Sequence, residues 1–197
     1  MKNKEEALIL WFEELTKEDT QIVGGKNANL GELMSKARVP VPPGFAVTAA
    51  AYRKFLEDTG IADEIYYILR KTNIDDLEQL ENASQKIRKL IEETPMPEYI
   101  QKAIINAYRD LCKRTGQENV SVAVRSSATA EDLPGASFAG QQETYLNVSG
   151  EKEVVKKVQK CWSSLFTPRA ISYRESKGFR HEQVLISVAV QQMVDAK

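Results

Sequence analysis

Arg125 and Lys26 are the two cations of this chain whose settings suit phosphate chemistry. Arg125 ends a strand-like apolar run, Val120–Val124. About eighteen residues follow before a second strand-like run starts near Thr144, and loops of that length are uncommon in compact domains unless functional or disordered. Leu133, Pro134 and Phe138 can anchor this one, which argues against disorder. Gly135, Ala136, Ser137, Ala139 and Gly140 are small enough to let a backbone approach a ligand. Ser126, Ser127, Thr129 and Thr144 offer hydroxyls. A guanidinium grips phosphate through two parallel hydrogen bonds and does not lose its proton. Read alone, Arg125 serves equally well as one half of an ion pair at a strand end.

Lys26 follows Gly24-Gly25 and opens a helical pattern in which Leu30, Leu33 and Met34 share a face. The unpaired amides and the dipole at a helix start favour anions, and an ammonium there adds a full charge. On spacing alone, a solvated lysine after a turn explains the same residues. Glu131 and Asp132 invite a metal reading, but adjacent side chains rarely converge, so they are assigned to a solvated loop. His181, the sole histidine, is expected on an exposed turn near Gly178 and Arg180.

The elements that must hold these groups alternate between strand and helix. Leu8–Phe12 reads as a short strand, Lys26–Ala37 as a helix and Phe45–Thr48 as a strand, with Thr48 capping a helix to about Asp58. A helical block covers about 61–116. Its last helix has Ile100, Ala103, Ile104, Ala107, Leu111 and Cys112 at helical spacing, opened by Pro97 and closed by Gly116. Val154, Val158, Cys161, Trp162 and Leu165 mark another helix. Thr167-Pro168 starts the next, and Gly178 ends it. Val184–Val194 is almost continuously apolar, which suits a strand buried on both faces.

The 197 residues carry 27 Lys plus Arg and 28 Asp plus Glu, a net charge of -1. That balance argues against nucleic acid or an anionic membrane as partner. No apolar run approaches the ~20 residues of a membrane span, and the first ten residues lack the apolar core of a signal peptide. Cys112 and Cys161 have no metal or redox spacing. A reduced, cytoplasmic setting is expected.

Four blocks in order, Val23–Leu33 (VGGKNANLGEL), Val41–Ala50 (VPPGFAVTAA), Val122–Val148 and Leu185–Lys197 (LISVAVQQMVDAK), carry a resemblance. They resemble the N-terminal nucleotide-binding domain of the phosphoenolpyruvate synthase (pyruvate, water dikinase) and pyruvate phosphate dikinase family. The DLPGASFAGQQET wording looks like the water dikinase branch. The resemblance implies an α+β, ATP-grasp-like first lobe with the helical block inserted. The second lobe, the phosphohistidine domain and the pyruvate-binding barrel are then expected beyond residues 1–197, with the magnesium ligands in that second lobe and no metal ligand in this chain.

By the same resemblance, Lys26 and Arg125 contact the phosphates of ATP and carry the catalysis. Gly140, Gln141 and Thr144 belong to a phosphate-covering loop, which is not a Walker loop because no GK[ST] occurs. Gln192, Met193 and Val194 sit where grasp-type folds place the adenine hinge, although Met193 and Val194 also fit a plain core. ATP is the expected ligand, pyruvate is met only through other domains, and an uncovered lobe face makes self-association plausible. Two alternatives stay open. One is a phosphotransferase with another acceptor, as in rifampicin phosphotransferases. The other is a non-catalytic nucleotide-binding module.

Overall fold

The alternation of side chains along each strand divides this protein into two unlike faces. A computed structural model describes residues 3–129 and 143–195. Within them, five strands form one antiparallel sheet in the order β1-β2-β5-β3-β4. The strands are β1 (Ile9–Trp11), β2 (Gly44–Val47), β3 (Val122–Ala128), β4 (Thr144–Val148) and β5 (Ile186–Gln192). Phe45 and Val124 flank Val190, and Val47 and Ser126 flank Val188. On the other face, Ala46 and Arg125 flank Ala189, Gly44 and Ala123 flank Gln191, and Ser127 stands opposite Ser187. Successive strand residues point to opposite sides, so one face is mostly large and apolar, Ser126 excepted, and the other is built of small or polar residues.

The large-residue face lies under α3 (Ala49–Thr59), α4 (Ile61–Arg70), α5 (Leu77–Glu93), α6 (Glu98–Thr115), α7 (Glu151–Ser163) and α8 (Pro168–Lys177). Phe55, Ile65, Ile87, Ile104, Val158 and Trp162 share one core with Phe45, Val122 and Val188. Trp162 is fully buried, its ring 4.9 Å from Phe55 and 5.9 Å from Tyr52. Thus the helices of 61–116 pack on a single side of the sheet. The small-residue face carries α1 (Thr20–Val23) and α2 (Gly25–Lys36), with Leu10, Phe12, Leu15, Val23, Ala28, Ala46 and Ala189 as a second core.

Local signals place the helix ends. Thr48 accepts from the Ala51 amide (3.4 Å) and Thr167 from the Ala170 amide (3.1 Å), the capping that short oxygen-bearing side chains supply. Gly60, Gly116 and Gly178 close α3, α6 and α8 in the left-handed conformation. Cys112 and Cys161 are buried free thiols, and burial pushes the Cys161 thiol upward. β1 and β2 differ from the expected bounds by one residue at each end, and two other strands differ more. β5 stops at Gln192, and β3 runs on past Arg125 to Ala128, because Ser126, Ser127 and Ala128 find partners in Val188, Ser187 and Ile186.

His181 is a further correction, since its ring is only 10% exposed. The cause is Arg174, which α8 buries almost completely and which needs acceptors. Its Nη2 donates to the Leu165 carbonyl, and its Nε donates to His181 Nδ1 at 3.0 Å. The other ring nitrogen lies 2.9 Å from Glu175 Oε1. An accepting Nδ1 puts the proton on Nε2, so the folded ring is neutral. Burial lowers Arg174 to about 10 and holds His181 below its ordinary value. The unfolded ring ionises near pH ~6.5. Stability from this group is therefore complete above that pH and is lost as pH falls through the lower folded value. Urea unfolding from pH 7.5 down to pH 5 should show a steeper loss in the wild type than in His181→Gln. Parallel declines would sink this account.

Candidate functional site

The site is assembled where the start of α2 meets the middle of the sheet. Gly24 joins α1 to α2 with φ 77°. A Cβ there would stand 2.1 Å from Ser127 Oγ, so only glycine allows the turn to press against β3. Asn27, buried in the first turn of α2, donates to the Val23 carbonyl and to Ser187 Oγ, both at 2.9 Å. Ser187 in turn donates to the Val23 carbonyl at 2.7 Å. This network bolts the helix start to β5, and the exposed side chain of Lys26 is held beside it. Farther along α2, Glu32 accepts from the Lys17 amide (2.9 Å), a bond that holds its carboxyl below the usual range.

Arg125 lies in the body of β3, opposite Ala189 on one side and Thr144 on the other. Its Nη2 donates to Gln191 Oε1 at 2.6 Å, and Gln191 Nε2 donates to the Pro42 carbonyl at 3.2 Å. Among the described residues, Arg125 makes no ion pair with a carboxylate. Ser127 Oγ is buried and finds no hydrogen-bond partner there either.

A cavity of about 500 Å³ opens here, lined among others by Lys26, Leu30 and Leu33 of α2, Arg125 and Ser127 of β3, Thr144 of β4 and Ala189 of β5. Lys26, Arg125 and Thr144, distant in sequence, thus share one cleft. Leu33, on the same helix face as Leu30 and Met34, stays 45% exposed along this wall. Cations from two elements, a hydroxyl and a helix start together attract anions.

The remaining candidates divide. Gly140 and Gln141 lie outside the described residues, as do Glu131 and Asp132. Gln192 ends β5 opposite Val122, its amide donating to the Pro43 carbonyl (2.9 Å). The Met193 amide donates to Ser121 (2.9 Å), and its sulfur accepts from the Asn147 amide (3.0 Å). Val194 is 60% exposed, so the plain-core alternative fails for it. None of the three lines the cleft. At ~3.4 Å per strand residue they begin roughly 10 Å beyond Ala189 along β5.

Several structural residues of the site escaped the sequence reading. Arg88 on α5 reaches Glu143 Oε1 at 2.5 Å, and the Tyr145 hydroxyl donates to the same carboxylate. Burial, then that bond, pushes the Tyr145 phenol upward. The Ser126 amide donates to the Glu143 carbonyl at 3.1 Å, while Thr129 bonds the Leu185 carbonyl at 2.9 Å. Thr129 and Glu143 are therefore each tied to the sheet by a backbone bond. Among the described residues, no group of three or more His, Cys, Asp or Glu could hold a metal ion. Nor is any helix among them long and apolar enough to cross a membrane.

Residues 20–197 match the family described as pyruvate phosphate dikinase, AMP/ATP-binding domain. A probable phosphoenolpyruvate synthase of Archaeoglobus fulgidus is 60% identical over 189 residues, covering 96% of this chain and 25% of its own length. That of Methanocaldococcus jannaschii is 58% identical over 189 residues, covering 96% of this chain and 16% of its own. A phosphoenolpyruvate synthase of Aeropyrum pernix is 55% identical over 194 residues, covering 98% and 24%. The chain therefore spans a quarter or less of the length of these relatives.

The Arg88–Glu143 pair is about a quarter exposed at each side chain, so its share of global stability is small, on the order of 0–1 kcal/mol. Its effect should be local. Arg88→Met should speed amide exchange at residues 143–145 severalfold with little change in melting temperature. Unchanged exchange there would show that the pair does not hold the start of β4.

Proposed function

Because this chain belongs to the pyruvate phosphate dikinase, AMP/ATP-binding domain family, we propose that it is the ATP-binding first lobe of a phosphoenolpyruvate synthase. The reading has an ATP-grasp-like fold, with the second lobe, the phosphohistidine domain and the pyruvate-binding barrel outside residues 1–197. The parent reaction is then pyruvate, ATP and water to phosphoenolpyruvate, AMP and phosphate. This lobe presents ATP, whose phosphoryl group goes to a histidine of another domain.

One observation carries the proposal: Lys26, Arg125 and Thr144 line a single cleft at the start of α2. Order along β5 supports it. The Lys26 end sits at the level of Ser187, Arg125 at Ala189, and Gln192–Val194 at the far end. A nucleotide laid along the strand meets the cations with its phosphates and the Gln192–Val194 end, including Met193, with its base. Lys26 and Arg125 neutralise charge that spreads over the phosphate oxygens during transfer, the main task in such reactions. Gly140 and Gln141 belong to the segment that covers the phosphates in this reading. The described residues offer no cluster of three or more His, Cys, Asp or Glu for magnesium. The relatives' names support pyruvate over an antibiotic acceptor.

Titration with Mg-ATP, followed by amide NMR, tests the reading. Shifts should centre on Lys26, Arg125 and Thr144 and vanish in Lys26→Met. In the full-length parent, Lys26→Met or Arg125→Ala should lower turnover by at least about tenfold with the fold intact. Wild-type rates in both variants would remove these residues from the chemistry.

A further inference from the structure

We propose that Gln191 is a positioning residue: its side-chain amide aims the Arg125 guanidinium across the cleft while leaving that cation's charge for the bound phosphates. The inference rests on the cleft being the nucleotide site, and it concerns a residue outside the hinge group Gln192–Val194.

The chemistry of the three partners is restrictive. A guanidinium can only donate hydrogen bonds, and the Pro42 carbonyl can only accept them. Gln191 stands between the two, accepting from Arg125 Nη2 at 2.6 Å and donating to Pro42 at 3.2 Å. A neutral amide satisfies both at once. A carboxylate there accepts from the guanidinium but turns its second oxygen on the carbonyl, and it neutralises the cation in a charge-assisted pair. An aliphatic side chain satisfies neither partner and frees the arginine to swing.

The placement is built into the sheet. Gln191 lies opposite Gly44 on β2 and Ala123 on β3, so its neighbours across the strands leave room for its side chain. Arg125 and Gln191 share the cleft face because each is an even number of residues from the Ala123 and Ala189 positions they flank. Pro42 belongs to the connection between α2 and β2, whose next carbonyl, Pro43, accepts from the Gln192 amide at 2.9 Å. One side chain thereby links the strand bearing Arg125 to the return from the helix bearing Lys26.

The test is Mg-ATP affinity by calorimetry in Gln191→Leu, Gln191→Glu, Arg125→Ala and the double variant Arg125→Ala/Gln191→Leu, with amide spectra as a fold control. Guanidinium Nη signals of Arg125 are recorded alongside. Gln191→Leu should weaken binding by about tenfold, the scale of one hydrogen bond to a charged group. It should also collapse the resolved Nη signals. Gln191→Glu should keep those signals yet bind at least as weakly as Gln191→Leu, because the arginine is held but neutralised. The double variant should bind no more weakly than Arg125→Ala. Wild-type affinity in both Gln191 variants, with Arg125→Ala impaired, overturns the positioning role alone. A Gln191→Leu loss that persists undiminished without Arg125 also overturns it. Wild-type affinity in Arg125→Ala, or no binding by the wild type, overturns the nucleotide reading and this inference with it. Should Gln191→Leu fail to fold, Gln191→Glu still decides through its affinity and its Nη signals.

Discussion

β5 must serve two faces at once, and most of the architecture follows from how it does so. It lies between β2 and β3, so its ladder is filled on both sides. Ile186, Val188 and Val190 join the core beneath the helices, while Ser187, Ala189 and Gln191 face α2 and the cleft. A one-residue slip in register would exchange the two sets. Large apolar side chains would then fill the cleft, and Gln191 would enter the core. The small residues of Gly44, Ala46 and Ala189 let the α2 side come close. Ser187 satisfies Asn27 and the Val23 carbonyl across that short gap.

The two faces also divide the larger core from the cleft. The helical side holds the larger core, centred on Trp162, Phe55 and Tyr52. Burial of such aromatic groups is the main source of favourable folding energy. That same side tolerates a buried cation. Arg174 lies against the Phe166 ring at 5.4 Å and bridges Leu165 and His181, tying α8 to the segments on either side of it. Its Nη1 and the indole nitrogen of Trp162 find no partner among the described residues. Orphaned buried donors cost stability, so the surrounding apolar packing has to outweigh them.

Much of this was legible in the sequence because the signals were local. Thr48, Thr167-Pro168, Gly116 and Gly178 announced their helix ends, and apolar spacing in 100–112 and 154–165 announced the buried helix faces. Lys26 and Arg125 stood out by type and setting, and the structure brings both to one cleft. What stayed hidden depends on pairing across the chain. β3 continues past Arg125 because β5 offers partners to Ser126 and Ser127, which composition alone reads as loop. Arg88 and Glu143 meet across fifty-five positions. His181 is drawn inward by Arg174, whose burial no charge pattern shows. Gln191 looked no different from Gln192 until register placed it on the Arg125 face.

Partner chemistry separates the arginines of this fold by task. Arg88 meets Glu143, Arg109 meets Glu151 through Nε and Nη2, and Arg114 meets Glu13. Each is a cation met by a carboxylate, and each joins two elements. Arg125 instead meets an amide oxygen, although its β4 partner Thr144 directly follows Glu143 in the chain. A carboxylate partner would hold it as firmly and would cancel its charge. An amide gives direction without cancelling charge. The same reasoning accounts for the small uncharged side chains around it, Ala123, Ser127 and Ala189, on a protein whose overall charge is nearly balanced. Among the described residues, the lining of this cleft sets Lys26 and Arg125 among uncharged side chains, so it is locally cationic by the lack of anions there as much as by the presence of cations.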